Sequence, residues 1–95
     1  MILAVIGNTI KLRVEFKDFN SDYIDPDDIT FAVYDSRKQL VGGVVPITAV
    51  HKIDAGIYEV NYTIPEGTTD LMYEFKGFMD GLPTVIRGKV TREWY

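Results

Sequence analysis

The sequence predicts an all-β protein, a Greek-key β-sandwich of about seven strands formed by one domain over residues 1–95. Three observations carry this reading. Thr9 to Lys17 alternates strictly, with Ile10, Leu12, Val14 and Phe16 on one side and Lys11, Arg13, Glu15 and Lys17 on the other. That is the period-2 pattern of a strand with one buried and one wet face, and a helix would scatter the four apolar residues around its circumference. Strand-sized runs then recur every ~8–12 residues between turn residues, and no helical period appears anywhere. A small barrel is the alternative that the same pattern allows.

After the first strand, residues 18–28 read as a connection. Pro26 lacks the N–H that a central ladder needs, and Asn20, Ser21 and the aspartates bond their own backbone. So long a connection suits a crossing between two sheets. Ile29 to Tyr34 is the next strand, with Ile29, Phe31 and Val33 inward, and Asp35 to Lys38 is a polar turn. Leu40 to Val45 is an apolar run broken by Gly42-Gly43, as at a bulge or change of direction. Ile47 to Ile53 is expected to be extended again.

Asp54-Ala55-Gly56 is a turn, and Ile57 to Ile64 puts Tyr58, Val60, Tyr62 and Ile64 opposite Glu59, Asn61 and Thr63. Pro65-Glu66-Gly67 closes that strand. Leu71, Tyr73 and Phe75 alternate with Met72, Glu74 and Lys76, and Asp80-Gly81 is a hairpin signal. The last strand, Thr84 to Arg92, sets Ile86, Gly88 and Val90 against Arg87, Lys89 and Thr91.

Composition narrows the function classes. The 95 residues contain no cysteine, which excludes disulfides, thiolate metal sites and a cysteine nucleophile. A net charge of -4 argues against direct nucleic-acid binding as the main task. The longest apolar runs, such as Met1 to Ile6, are too short to span a bilayer. No basic segment precedes Ile2-Leu3-Ala4 and no small-residue cleavage site follows, so a signal peptide is not expected.

No catalytic constellation is legible. His51 is the single histidine, and Ser21 and Ser36 both fall in polar turns without a Gly-x-Ser-x-Gly elbow. The chain is therefore expected to be non-enzymatic, with no cofactor and no resident metal. Asp18, Asp22, Asp25, Asp27 and Asp28 place five carboxylates in eleven residues. Hard cations favour such oxygen clusters, but the loop lacks the central glycine and closing glutamate of an EF-hand, and a solvated loop accounts for it.

Partner contacts are expected at three places. Trp94 and Tyr95 end the chain, and these residue types dominate interface hot spots; folding back over the sandwich end is the competing role for Trp94. Phe78 and Met79, beside the Asp80-Gly81 turn, form a second apolar point unless they belong to the core. Lys11, Arg13, Arg87 and Lys89 would form a basic stripe if their two strands share a sheet, although lysines on strands also discourage edge pairing.

With these residues located, a resemblance can be stated. Gly7 to Phe19, Ile24-Asp25-Pro26-Asp27-Asp28-Ile29-Thr30, Tyr34-Asp35, Asp54-Ala55-Gly56-Ile57-Tyr58, Tyr62 to Gly67, Tyr73-Glu74-Phe75-Lys76-Gly77 and Asp80-Gly81 follow one another in an order that resembles small immunoglobulin-like domains. The domains in question are encoded among the head and neck genes of tailed bacteriophages; Ig-like modules of bacterial surface proteins are similar more loosely. The resemblance implies an Ig-like sandwich that docks to other virion proteins, of the capsid or the neck and tail, as a homo-oligomer or in many copies. It also implies manufacture in the host bacterial cytoplasm and residence in the virion. The chain departs from antibody domains in lacking a cysteine pair and a strand-borne core tryptophan. Asp54-x-Gly56-x-Tyr58 is similar to a tyrosine corner, but two further strands follow it, so it reads as an ordinary turn into a strand with Tyr58 packing inward. A loop-borne binding module for a host-surface carbohydrate or protein, using Phe19 and Tyr23, is the alternative.

Overall fold

Burying alternate residues of each amphipathic strand requires a second apolar face, and the chain supplies it with a second sheet. The computed structural model describes residues 2–93. They form β1 (Ile2–Val5), β2 (Thr9–Glu15), β3 (Asp27–Tyr34), β4 (Val45–Pro46), β5 (Lys52–Asp54), β6 (Ile57–Thr63), β7 (Leu71–Met79) and β8 (Leu82–Glu93). One sheet has the order β1-β8-β7-β3-β4 and the other β2-β6-β5. Neighbours are antiparallel except β1 and β8, which run parallel with Ile2 opposite Val90. Both sheets are open, so the barrel alternative is not formed; the architecture is an all-β sandwich.

Leu12, Val14, Phe16, Tyr58, Val60 and Ile64 from one side meet Ile29, Phe31, Val33, Leu71, Phe75 and Val90 from the other in one core cluster. Phe31 joins the two layers: its ring lies 5.0 Å from Phe75 within its own sheet and 5.9 Å from Tyr62 across the gap. Each fully buried side chain of this size contributes ~1.5–3 kcal/mol relative to exposure. The alternation of the first strand is obeyed, since Leu12, Val14 and Phe16 are buried and Lys11, Arg13 and Glu15 exposed.

The Asp80-Gly81 hairpin is a two-residue turn between β7 and β8, with φ of 52° and 77°. Positive φ at both positions matches the right-handed strand twist and fixes the register. Because of that register Tyr73 lies opposite Gly88, and the tyrosine ring occupies the space a side chain at 88 would need.

Three expectations need correction. The described residues form eight strands, because the apolar run at the start pairs with β8 as β1. Residues 40–45 are mostly irregular: an isolated bridge joins Leu40 to Tyr34, Gly42 takes φ 80°, and pairing resumes only at Val45–Pro46. Ile47 to Ile53 is interrupted by a 3-10 turn at Ala49–His51, because Thr48 and His51 bond each other. The His51 N–H donates to the Thr48 carbonyl at 3.0 Å, and the Thr48 N–H to His51 Nδ1 at 3.1 Å. Among the described residues no helix is long and apolar enough to cross a membrane.

Candidate docking surfaces

The loop between β2 and β3 is held from two sides. At its far end Asp25 Oδ1 accepts hydrogen bonds from the Gly56 N–H (2.8 Å) and the Tyr58 hydroxyl (2.9 Å), while Oδ2 takes Lys52 Nζ at 2.8 Å. These donors, Lys52 first, hold the Asp25 carboxyl down at about 2, and burial together with Asp25 pushes the Tyr58 hydroxyl up to about 12. Tyr58 packs inward as expected, with its ring 6.0 Å from Phe16, and its oxygen reaches out to the loop. Pro26 is buried beyond it.

At its near end the loop forms a small projecting turn. Lys17 bridges Tyr23, and Lys17 Nζ stands 4.9 Å above the Tyr23 ring. Asp18 Oδ1 accepts from the N–H groups of Asn20 (2.8 Å) and Asp22 (3.0 Å), and the Ser21 N–H donates to the Asp18 carbonyl at 3.0 Å. Phe19, at the tip, is fully exposed. Two of the five clustered carboxylates are thus engaged in shaping the loop, and no three His, Asp or Glu side chains converge as metal ligands among the described residues.

The basic stripe does not form. Lys11 and Arg13 lie on β2 in the three-stranded sheet, whereas Arg87 and Lys89 lie on β8 in the five-stranded sheet. Their outward faces are on opposite sides of the sandwich. Arg87 Nε pairs with Glu74 at 2.8 Å and Lys89 Nζ with Asp70 at 3.0 Å. Beside these pairs the outer face of the five-stranded sheet carries a cleft of about 560 Å³, floored by Tyr34 and Met72 and ringed by Lys38, Arg87 and Lys89 together with Asp70 and Glu74. Asp35 also lines it, its Oδ1 accepting from the N–H groups of Arg37 (2.8 Å) and Gln39 (3.0 Å).

Phe78 and Met79 are half-buried: Met79 packs against the core, and Lys76 Nζ lies 5.7 Å over the Phe78 ring. The more exposed apolar residue at that hairpin is Leu82, at 70%. Trp94 and Tyr95 lie outside the described residues. His51 serves the 3-10 turn, Ser36 follows β3, and Ser21 sits in the projecting loop, so these groups belong to separate elements.

Sequence reasoning missed Arg92. From β8 its guanidinium donates to the carbonyls of Pro65 (3.2 Å), Glu66 (2.9 Å) and Thr69 (2.7 Å) and to Thr69 Oγ1 (3.0 Å), clamping the connection between β6 and β7. The one local signal is its place on the inward side of an alternating strand, where a cation needs buried acceptors. A second region it missed is a cleft of about 610 Å³ at the short-strand side, between Val41, Val45 and Val50 and the inner residues Phe31, Val60 and Tyr62.

Comparison with protein-family models, with curated proteins and with solved structures returns no match.

Proposed function

We propose that this chain is a non-enzymatic structural protein of a tailed-bacteriophage particle, an Ig-like Greek-key domain that docks to capsid or neck proteins in many copies. The observation that carries the reading is the strand order: β1-β8-β7-β3-β4 faces β2-β6-β5, and β1 runs parallel to β8. Taking β2 to β8 as the second to last strands of an Ig domain, the second, fourth and fifth share one sheet and the third, sixth and seventh the other, once the short β4 is counted as an added edge strand. Sandwiches of this kind act through faces and loops, and the exposed Phe19 loop and the outer-face cleft are surfaces suited to that role. Repetition around a particle raises effective concentration, so a modest contact suffices.

The test is immunogold labelling of particles purified from infected or induced cultures in which the chain is made. Label at the capsid surface or neck is expected, and particles free of the chain would refute the proposal. The second reading is an adhesion module for a host-surface carbohydrate or protein. It is favoured by the exposure of both Phe19 and Tyr23 on one loop. Binding of the monomeric protein to a glycan array or to host cells, lost in Phe19→Ser, would select that reading.

A further inference from the structure

We propose that the groove between the Phe19 loop and the tip of the β7–β8 hairpin seats a basic segment of a partner protein, an apolar side chain flanked by lysine or arginine. The inference rests on the reading of a docking protein and deepens it by naming the chemistry of the partner.

The groove holds about 560 Å³, with Phe19 and Ile24 on its loop side and Met79, Leu82 and Pro83 on its hairpin side. Its apolar surface stands in solvent. Phe19 is fully exposed, Leu82 is 70% exposed and Pro83 is exposed, with Ile24 and Met79 half-buried behind them. Large apolar side chains gathered in this way mark an interaction surface.

Both walls are formed before any partner arrives. The loop is closed by the Asp18 N–H to Asp22 carbonyl bond at 2.9 Å and by the two amides that Asp18 Oδ1 accepts. The hairpin ends in its two-residue turn at Asp80-Gly81. Little ordering remains to oppose binding, and a phenylalanine with two side-chain torsions adds little more.

Charge selects the partner. Asp18 and Asp80 line the groove, and the exposed Asp22, Asp27 and Asp28 lie at the same end of the sandwich, where β3 begins and β7 ends. None of these aspartates makes an ion pair among the described residues, whereas Asp25 is matched by Lys52. The other cations beside them are Lys17, which also lines the groove, and Lys76. Each lies over an aromatic ring, Lys17 over Tyr23 and Lys76 over Phe78. The surface keeps a surplus of negative charge, so a cation beside the apolar anchor is favoured over an acidic or uncharged neighbour.

Other occupants fit less well. Across a two-fold axis a second copy would set these aspartates against themselves, in a chain whose net charge is already -4. A saccharide needs polar partners for its hydroxyls, but the walls other than Phe19 are aliphatic and Asp18 Oδ1 is occupied by backbone amides.

Selection of a random peptide library displayed on yeast, with the full chain as bait in low salt, tests this. Sequences in which lysine or arginine flanks leucine, phenylalanine or tryptophan are expected to be enriched. A synthetic peptide of the leading sequence should shift the amide resonances of residues 17–24 and 79–84, and high salt should weaken it. Phe19→Ser and Leu82→Ser should each weaken it ~10-fold or more, and Asp22→Asn and Asp80→Asn ~2–5-fold each. Phe19→Trp keeps an aromatic anchor and should bind as wild type does, and an unshifted circular dichroism melt in each variant shows that the fold is intact.

Enrichment of acidic or uncharged sequences overturns the assignment, as do resonance shifts confined to another face or binding indifferent to Phe19→Ser. A selection that returns nothing above the Phe19→Ser bait overturns it too, and so does glycan binding through Phe19 in place of peptide. Immunogold labelling of particles separates the two levels. Labelled particles without basic peptides in the selection overturn the groove assignment alone. Basic peptides with particles free of the chain overturn the virion reading and leave the groove its partner chemistry.

Discussion

The Tyr58 hydroxyl donates a 2.9 Å hydrogen bond to Asp25, 33 residues earlier in the chain, so a core ring of one sheet anchors the loop that crosses to the other. Asp25 also binds Lys52 and the Gly56 amide, which makes this carboxylate the junction of the loop, β5 and the β5–β6 turn.

Acid should loosen that junction. The Asp25 carboxyl is held at about 2, below its ordinary 3.8, so its stabilisation is fully present above 3.8 and is lost as pH falls through about 2. The side chain is 43% exposed, so solvent screens the gain and it is a small part of the total. Urea unfolding of Asp25→Asn should show a shallower loss of stability across that window than wild type. An unchanged slope would mean that the carboxylate is no better stabilised folded than unfolded. Tyr58 has the opposite sign: its hydroxyl is raised from 10.0 to about 12, so its contribution is complete below 10.0 and disappears as pH rises through about 12. Tyr58→Phe should cost ~1 kcal/mol at neutral pH and remove that alkaline limb.

Gly56 is where the same junction is sterically tightest. It adopts φ 71°, and a Cβ there would lie 2.7 Å from the Phe16 carbonyl oxygen and 2.9 Å from that of Ile24. Gly56→Ala should destabilise by ~2–4 kcal/mol, because left-handed strain and a backbone clash act together. Gly43 supplies the contrast: a Cβ there meets nothing within 4 Å, and its φ is not in the left-handed region. Gly43→Ala should be neutral or stabilise by up to ~1 kcal/mol through the unfolded chain. Thermal melts of the two variants check the ordering.

What the sequence made legible follows from where burial is one-sided. β2 and the β7–β8 hairpin were readable because one face is wet and one dry, and because Asp80-Gly81 carries its own turn chemistry. β1 was not, since Ile2 to Val5 has no alternation and its partner lies at the other end of the chain. The 3-10 turn escaped because a reciprocal pair, Thr48 with His51, overrides an apolar run that reads as extended. Alternation told that Lys11, Arg13, Arg87 and Lys89 face outward but carries no information about which sheet a strand joins, and so the basic stripe failed. Phe19 sits in a stretch whose polar composition marks a loop, and only the Asp18 bonds reveal how firmly it is presented.

Arg92 should govern the mobility of the β6–β7 connection. Its guanidinium serves three backbone carbonyls and one hydroxyl, a fan of donors that a lysine ammonium cannot reproduce. Arg92→Lys should cost ~1–3 kcal/mol and speed amide hydrogen exchange between Glu66 and Asp70, with β2 little changed. Exchange that rises uniformly over the chain would show that the clamp acts globally and is not local to this loop.

The pairing of Tyr73 with Gly88 yields the sharpest packing test. The two lie opposite each other on β7 and β8, and the tyrosine ring covers the glycine where a side chain would stand. The ring also meets Phe75 edge-on at 6.0 Å, which limits its room to swing aside. Gly88→Ala alone should therefore destabilise by ~1–3 kcal/mol through overpacking. Tyr73→Ala alone should cost ~2–4 kcal/mol for the lost aromatic surface. With the ring gone the methyl has space, so the double variant should be more stable than the sum of the two losses predicts, by ~1 kcal/mol or more. Strictly additive losses in urea titrations would mean that Gly88 is not kept small by the ring, and that the cost of alanine there arises from the strand backbone itself.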